Sequence, residues 1–235
     1  MWQKYDSLQS LLRSYEGVVV AFSGGVDSSL LLTAARSVLG DRVLAVTARS
    51  PTHPPHELEE AAAIATSLGA RHRFIDTVEL SEPSFTRNST ERCYICKRSM
   101  LQSVVVVAIE EGFKTVVEGT NRDVKSSSPP GLRAVNELGV RSPFLEVGIG
   151  MEQIRLIARE EGLPNWNAPS PTCLVNRIPL GTRITEDRLS RIYRAELAVR
   201  SLGLKSARVS DHGDLARIEV SEEEMGRLLD PAIRC

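Results

Sequence analysis

Residues 18–29 read VVVAFSGGVDSS. Five apolar residues of strand length run into a serine and two glycines, and SSLLLTAARSVLG then reads as a helix closed by Gly40. Strand, glycine loop and helix in that order open a sheet of the doubly wound class. There, ligands bind beyond the carboxyl ends of the strands, and a loop entering a helix offers unpaired backbone N–H groups to an anion. Gly24 and Gly25 allow the backbone to come close to such a ligand. The loop carries a carboxylate, Asp27, and no lysine. It matches neither the G-x-x-x-x-G-K-[ST] phosphate loop nor the G-x-G-x-x-G dinucleotide fingerprint, which argues against both of those enzyme classes. The plainer alternative is a Gly-Gly turn in which Asp27 or Ser28 caps the helix.

The same alternation continues outward. VLAVTA (43–48) is followed by PPHELEEAAAIATSLG, with proline near its helical start and Gly69 at its end, and then by HRFIDT (72–77). KRSMLQSVVVVAIEEG reads as a third helix leading to the strand TVVEGT (115–120), and a strand is expected near PFLEV (143–147), before the helix MEQIRLIAREEG. Apolar strands alternating with amphipathic helices imply an α/β fold with a doubly wound, mostly parallel sheet covered on both faces. Around 164–184 four prolines replace this periodicity. Beyond them a long helix, two short strands flanking His212 and Gly213, and a last helix make a small C-terminal α+β unit. The expected boundaries are 1–165 for the nucleotide domain, 166–184 for a linker loop and 185–235 for the small domain.

The charge is balanced, with 29 Lys and Arg against 30 Asp and Glu, so nothing in it argues for nucleic acid or a membrane surface as partner. No run approaches the length of a membrane span and the amphipathic N-terminus is unlike a secretory signal, so the expected compartment is the cytoplasm. Four cysteines, Cys93, Cys96, Cys173 and Cys235, are too few and too uneven for a disulfide scaffold, and in a reducing compartment they point to metal or reactive roles. On position alone, TARS (47–50) at the end of the second strand would line adenine through Thr47, Arg49 and Ser50. Gly119 and Thr120, at the end of TVVEG, would approach ribose or the α-phosphate.

Ser23-Gly24-Gly25-Val26-Asp27-Ser28 resembles the SGGxDS pyrophosphate loop of the ATP pyrophosphatases, whose fold is the adenine nucleotide alpha-hydrolase type. Those enzymes cleave ATP between the α and β phosphates and adenylate a carbonyl or carboxyl oxygen. The resemblance extends through AVTARSPTHPPHELEEAAAIATSLG, RCYICK, EGTNRD, PSPTCLVNRIPLGTRIT, RAELAVRSLG and ARVSDHGDLARIEV, nearly the whole chain. These stretches look like the LarE-type sulfur transferases of nickel-pincer cofactor synthesis. The family's reaction adenylates a carboxylate of a pyridinium-carboxylate mononucleotide with ATP, and sulfur then replaces AMP to give a thiocarboxylate.

By that resemblance Asp27 acts through Mg²⁺ or a hydrogen bond, since a bare carboxylate would repel phosphate. Cys173 is the sulfur-handling thiol, with Arg177 and Arg183 near in sequence to favour its thiolate. In one branch of the family this position gives up its own sulfur. Cys93-x-x-Cys96 has metal-chelate spacing, and with Cys173 it would supply three thiolates to a 4Fe-4S cluster with one iron open, as in a second branch. A zinc site, a redox or packing role for the pair, and a structural Cys173 remain alternatives; Cys235 reads as incidental. Arg177, Glu196, Arg208 and Arg217 have types suited to Mg²⁺ or substrate phosphate, a solvated face being the alternative for each of the last three. His72 and His212 read as strand-end or turn residues, and Trp166 as packing.

The resemblance also implies a homo-oligomer and an outside sulfur donor. Three departures from the family pattern stand out: Asp123-Val124-Lys125 replaces an acidic pair after GTN, Asn176 replaces a commoner serine, and the chain ends soon after SEEEMGRLL, as if the small domain were abbreviated. The rival readings are a tRNA thiolase or a glutamine-dependent synthetase of the same superfamily, and a non-catalytic adenine-nucleotide sensor. Neutral charge and a length with no room for a glutaminase argue against the first two. The cysteines argue against the third.

Overall fold

The computed structural model describes residues 2–123, 129–169, 173–204, 206–228 and 230. Val124, Lys125, Ser170, Pro171, Thr172 and Cys235 of the sequence argument lie outside the described residues. The chain divides into two units, Met1–Ser50 with Pro55–Glu79 and Glu91–Pro171, and Pro51–Pro54 with Leu80–Thr90 and Thr172–Cys235.

The first unit runs α1 (Trp2–Arg13), β1 (Val18–Ala21), α2 (Val26–Leu39), β2 (Val43–Arg49), α3 (Pro55–Ser67) and β3 (Arg71–Asp76). After an excursion into the second unit, which contains the short α4 (Pro83–Thr86), it resumes with α5 (Arg92–Glu110), β4 (Val116–Glu118), α6 (Pro129–Glu137), α7 (Pro143–Glu146) and α8 (Met151–Glu160). The four strands pair in parallel in the order β3-β2-β1-β4. Successive side chains of a strand face opposite ways, so both layers can be read from β1. Val18 and Val20 join α1, α2 and α8 in one core, whereas Val19 joins Leu101, Val104 and Val107 of α5 in the other. The doubly wound parallel sheet expected from the apolar strands is present. Its order reverses between β1 and β4, and in open α/β sheets such a switch point, beyond the strands' carboxyl ends, is where ligands bind.

Three segments depart from expectation. PFLEV is not a strand: Pro143–Glu146 is a helical turn, and only Arg141 before it bridges β4, in parallel with Val117. Proline suits the first position of a helix, and Phe144 is wholly buried there. A short apolar run of this kind does not by itself distinguish strand from helix. Helix α5 begins at Arg92, ahead of Cys93, so the CxxC pair is helical, and α6 was not anticipated at all.

In the second unit α9 (Glu186–Ser201) packs on an antiparallel hairpin of β5 (Arg208–Asp211) and β6 (Ala216–Glu219), followed by α10 (Glu222–Leu228). Thr185 caps α9 by accepting from the Arg188 N–H. The end of the proline-rich loop, residues 179–184, is tied to α4 and the residues after it. Asn88, wholly buried at φ 56°, donates its Nδ2 hydrogens to the carbonyls of Pro179 at 2.8 Å and Thr182 at 2.9 Å, while its own carbonyl accepts from Gly181. Asn88→Ala should cost about 2–3 kcal/mol, from two part-buried carbonyls that lose their donor and an alanine forced left-handed. Asn88→Gly, which relieves only the backbone strain, should cost about 1 kcal/mol less. Hydrogen exchange at the Gly181 and Ile184 amides measures both.

Candidate active site

The loop between β1 and α2 meets β4 at the switch point. Gly24 adopts φ 76°, and a Cβ on it would lie 2.9 Å from the Cα of Ala61 in α3. Gly25 follows in extended conformation as the N-cap of α2, and the unpaired first-turn N–H groups of that helix form an anion-binding end. Ser28 holds the loop from inside: its hydroxyl donates to the Gly25 carbonyl at 3.1 Å and accepts from the Ser23 N–H at 3.2 Å. Gly119 permits a close approach of protein to protein. Its absent Cβ would sit 3.1 Å from Cβ of Asp27 and 3.2 Å from the Ser28 nitrogen.

Asp27 lies in the first turn of α2, where the helix dipole favours its charge. Burial pushes its carboxyl above the ordinary range, and a 2.7 Å hydrogen bond donated by Asn121 Nδ2 offsets part of that rise. Asn121 Oδ1 in turn accepts from the Asp123 N–H at 2.9 Å, and the Asp123 carboxylate accepts from Met151 N at 2.7 Å, capping α8. Asp123 is therefore engaged with a helix end.

A second polar cluster lies beside it. Glu118, 6 % exposed at the end of β4, accepts from Lys97 Nζ at 2.9 Å, from the N–H and hydroxyl of Thr120, and from the Ser142 hydroxyl. Lys97 follows Cys96 in α5, so this ion pair brings the CxxC end of the helix to the carboxyl edge of the sheet. Cys93 and Cys96 stand at i and i+3, positions that share a helix face.

The side chains expected to line adenine are engaged elsewhere. Thr47 donates to the Phe22 carbonyl at 2.7 Å, so its oxygen accepts from His72 Nε2 at 2.8 Å. His72 is the second residue of β3, at the strand's start as expected, and burial lowers its pKa. Arg49 forms a two-pronged pair with Asp76, and Ser50 hydrogen-bonds the buried Glu79.

In the second unit Arg177 and Glu196 form a buried ion pair at 3.0 Å. Arg177 also donates to the Cys173 carbonyl at 3.2 Å, and Val209 N donates to Glu196. Their charges hold Cys173, the N-cap of the 3-10 turn Leu174–Arg177, against α9 and β5. Arg208 is exposed, and Arg217 pairs with Glu219 on the open strand β6. Among the described residues no group of three His, Cys, Asp or Glu side chains is gathered as a metal site, and no helix is long and apolar enough to cross a membrane.

Lys97, Glu118, Asn121 and Asn165 were missed as site residues. The first three sit inside or beside RCYICK and EGTNRD, whereas Asn165 is brought in only by folding.

A parallel sheet that feeds an SGGVDS loop into a helix at its switch point defines an ATP pyrophosphatase of the PP-loop class. The family model described as NAD synthase matches residues 4–124. Over 96 % of its length the chain is 35 % identical to pyridinium-3,5-bisthiocarboxylic acid mononucleotide synthase of Lactiplantibacillus plantarum, covering 82 % of that protein. It is 38 % identical over 94 % of its length to an uncharacterised protein of Synechocystis, covering 83 % of it, and 29 % identical over 91 % to an uncharacterised protein of Methanocaldococcus jannaschii, covering 81 %. The chain belongs to the LarE-type family within the PP-loop class.

A carboxyl whose pKa is raised on folding binds its proton more tightly in the native state than in the unfolded one. It therefore costs stability once pH rises above the unfolded value near 4. Asp27→Asn should accordingly raise the melting temperature at pH 7, and the gain should fade as pH falls toward that value. Thermal scans of the two proteins across pH test this.

Proposed function

We propose that this protein is an ATP-dependent sulfur transferase that converts a carboxylate of a pyridinium-carboxylate mononucleotide into a thiocarboxylate, in nickel-pincer cofactor synthesis. The observation that carries the reading is the SGGVDS loop at the switch point, with Asp27 half-buried and oriented by Asn121, in a chain alike over nearly its whole length to a bisthiocarboxylate mononucleotide synthase. Ser23, Gly24, Gly25 and Ser28 form the loop that holds the β and γ phosphates at the N-terminal end of α2. Asp27, ionised, binds the Mg²⁺ that neutralises them. Thr47, Arg49, Ser50, Gly119 and Thr120 frame the nucleoside side of the site.

The substrate carboxylate oxygen attacks the α-phosphorus and the bond to the β-phosphate oxygen breaks, releasing pyrophosphate and leaving an acyl-adenylate. Sulfur then adds to the acyl carbon and AMP leaves, so the carbon exchanges one oxygen for one sulfur with no change of oxidation state. Cys173 is the sulfur-handling thiol in this reading. The helical pair Cys93 and Cys96 suits two ligand positions of a 4Fe-4S cluster, with Cys173 as the third. Such a cluster would supply sulfide at an iron without a protein ligand. Arg208 and Arg217 are assigned to substrate phosphate, and Arg177 and Glu196 to holding the Cys173 turn. The reading includes the cytoplasm, where thiols stay reduced, a homo-oligomer, and an outside sulfur donor for repeated turnover.

Asp27→Ala should lower pyrophosphate release from ATP and the mononucleotide by about two orders of magnitude or more, the scale of losing a group that positions charge in the transition state. Release at the normal rate would remove the adenylation step. Anaerobic reconstitution with iron and sulfide should give a broad visible absorption, diminished by each of Cys93→Ala, Cys96→Ala and Cys173→Ala. A colourless protein that loses the mass of H₂S at Cys173 after one turnover would instead make Cys173 a consumed sulfur source.

A further inference from the structure

Asn165 lies outside every motif discussed above, yet its side chain reaches the centre of the glycine loop. Its Nδ2 donates to the Gly24 carbonyl at 2.7 Å and lies 3.0 Å from the Ser29 hydroxyl, which itself donates to that carbonyl at 3.4 Å. The carbonyl only accepts, so the amide nitrogen must be the atom that faces it. The other atom, Oδ1, is buried without a partner among the described residues. Burying an amide half-satisfied is costly, about 1–3 kcal/mol, so packing alone is a poor account of an asparagine here. The segment bearing it is itself fixed: Arg155 of α8 donates to the carbonyls of Trp166 at 3.1 Å and Ala168 at 2.8 Å, and Arg159 stacks over the Trp166 ring.

We infer that Asn165 is a positioning residue for the pyrophosphate loop, acting through the Gly24–Gly25 peptide. In a trans peptide the C=O and N–H point opposite ways, so holding the Gly24 oxygen on one side fixes the Gly25 N–H on the other. Both residues are glycines, and a flip of this plane changes only ψ of Gly24 and φ of Gly25, which glycine tolerates. Glycine's φ/ψ freedom therefore leaves both orientations open, and the hydrogen bonds choose between them: those of Asn165 and Ser29 to the Gly24 oxygen, and that of the Gly25 N–H to Ser23 Oγ at 3.3 Å, longer than the 2.7 Å bond from Asn165. The flipped peptide would turn a carbonyl oxygen toward the phosphates and remove a donor. Asn165 thus selects the anion-binding form of the loop before ATP arrives.

The inference rests on the proposed function, because it takes SGGVDS as the pyrophosphate loop. Calorimetric titration with MgATP and with inorganic pyrophosphate plus Mg²⁺ tests it, with thermal unfolding as the check on folding. Asn165→Ala should weaken both ligands by about tenfold, the worth of one well-made hydrogen bond. In turnover, KM for ATP should rise with it, while KM for the mononucleotide should not. Asn165→Asp keeps the shape and loses the donor, so it remains informative if the alanine variant folds poorly. It should bind more weakly still at neutral pH and recover relative to Asn165→Ala as the pH is lowered, because a protonated carboxyl regains a donor. Folded variants that bind both ligands as tightly as the unaltered protein would overturn this inference alone. An unaltered protein that binds neither ligand would overturn the proposed function along with it.

Discussion

The candidate site depends on two places where there is no room for a side chain. A methyl group at Gly24 would press on the backbone of Ala61 in α3, and one at Gly119 would press on Asp27 and the Ser28 nitrogen. The loop after β1 is therefore squeezed between a helix of one layer and the end of β4. That compression draws Asp27 out of water and holds the α2 N-terminus at the switch point. A larger residue at either position would push the loop away and re-expose the carboxylate. Burial, which makes Asp27 reluctant to ionise, and the Asn121 hydrogen bond, which restores part of its charge, both follow from that packing.

Around this point the polar groups form linked pairs, each satisfied by a neighbour on another element. Asn121 ties Asp27 to Asp123 and so to the head of α8; Glu118 ties Lys97 of α5 to the Thr120 turn and to Ser142. Helices of both layers are thus anchored to the carboxyl edge of the sheet by hydrogen bonds, among them charge-assisted ones from Lys97 to Glu118 and from Met151 N to Asp123. In the second unit the Arg177–Glu196 pair does the same for the Cys173 turn. Removing one partner of a buried ion pair of this kind typically costs about 3–5 kcal/mol, so these charges are bound to structure before they are available to a ligand.

What the sequence disclosed follows from how local each signal is. The strands were legible because a parallel sheet buried on both faces demands uninterrupted apolar runs such as VVVAF, and the glycine loop because its residues are contiguous. PFLEV misled because four apolar residues fit either period, and Pro143, which favours a helical start, was outweighed by the expectation of another strand. Thr47, Arg49 and Ser50 were correctly placed at a strand end, but which neighbour each engages depends on residues about 25 to 30 positions away. Asn165 left no trace at all. Its bond to Gly24 spans 141 positions and is made by a residue common in any loop.

The central claim is that ATP is split between its α and β phosphates so that sulfur can displace AMP from an activated carboxylate. Single-turnover product analysis with α-labelled ATP and a pyridinium dicarboxylate mononucleotide tests it most directly. The account predicts AMP and pyrophosphate in equal amounts, with one oxygen of the substrate replaced by sulfur for each AMP formed and the displaced oxygen recovered in AMP. ADP with orthophosphate, or AMP formed without sulfur entering the substrate, would contradict it.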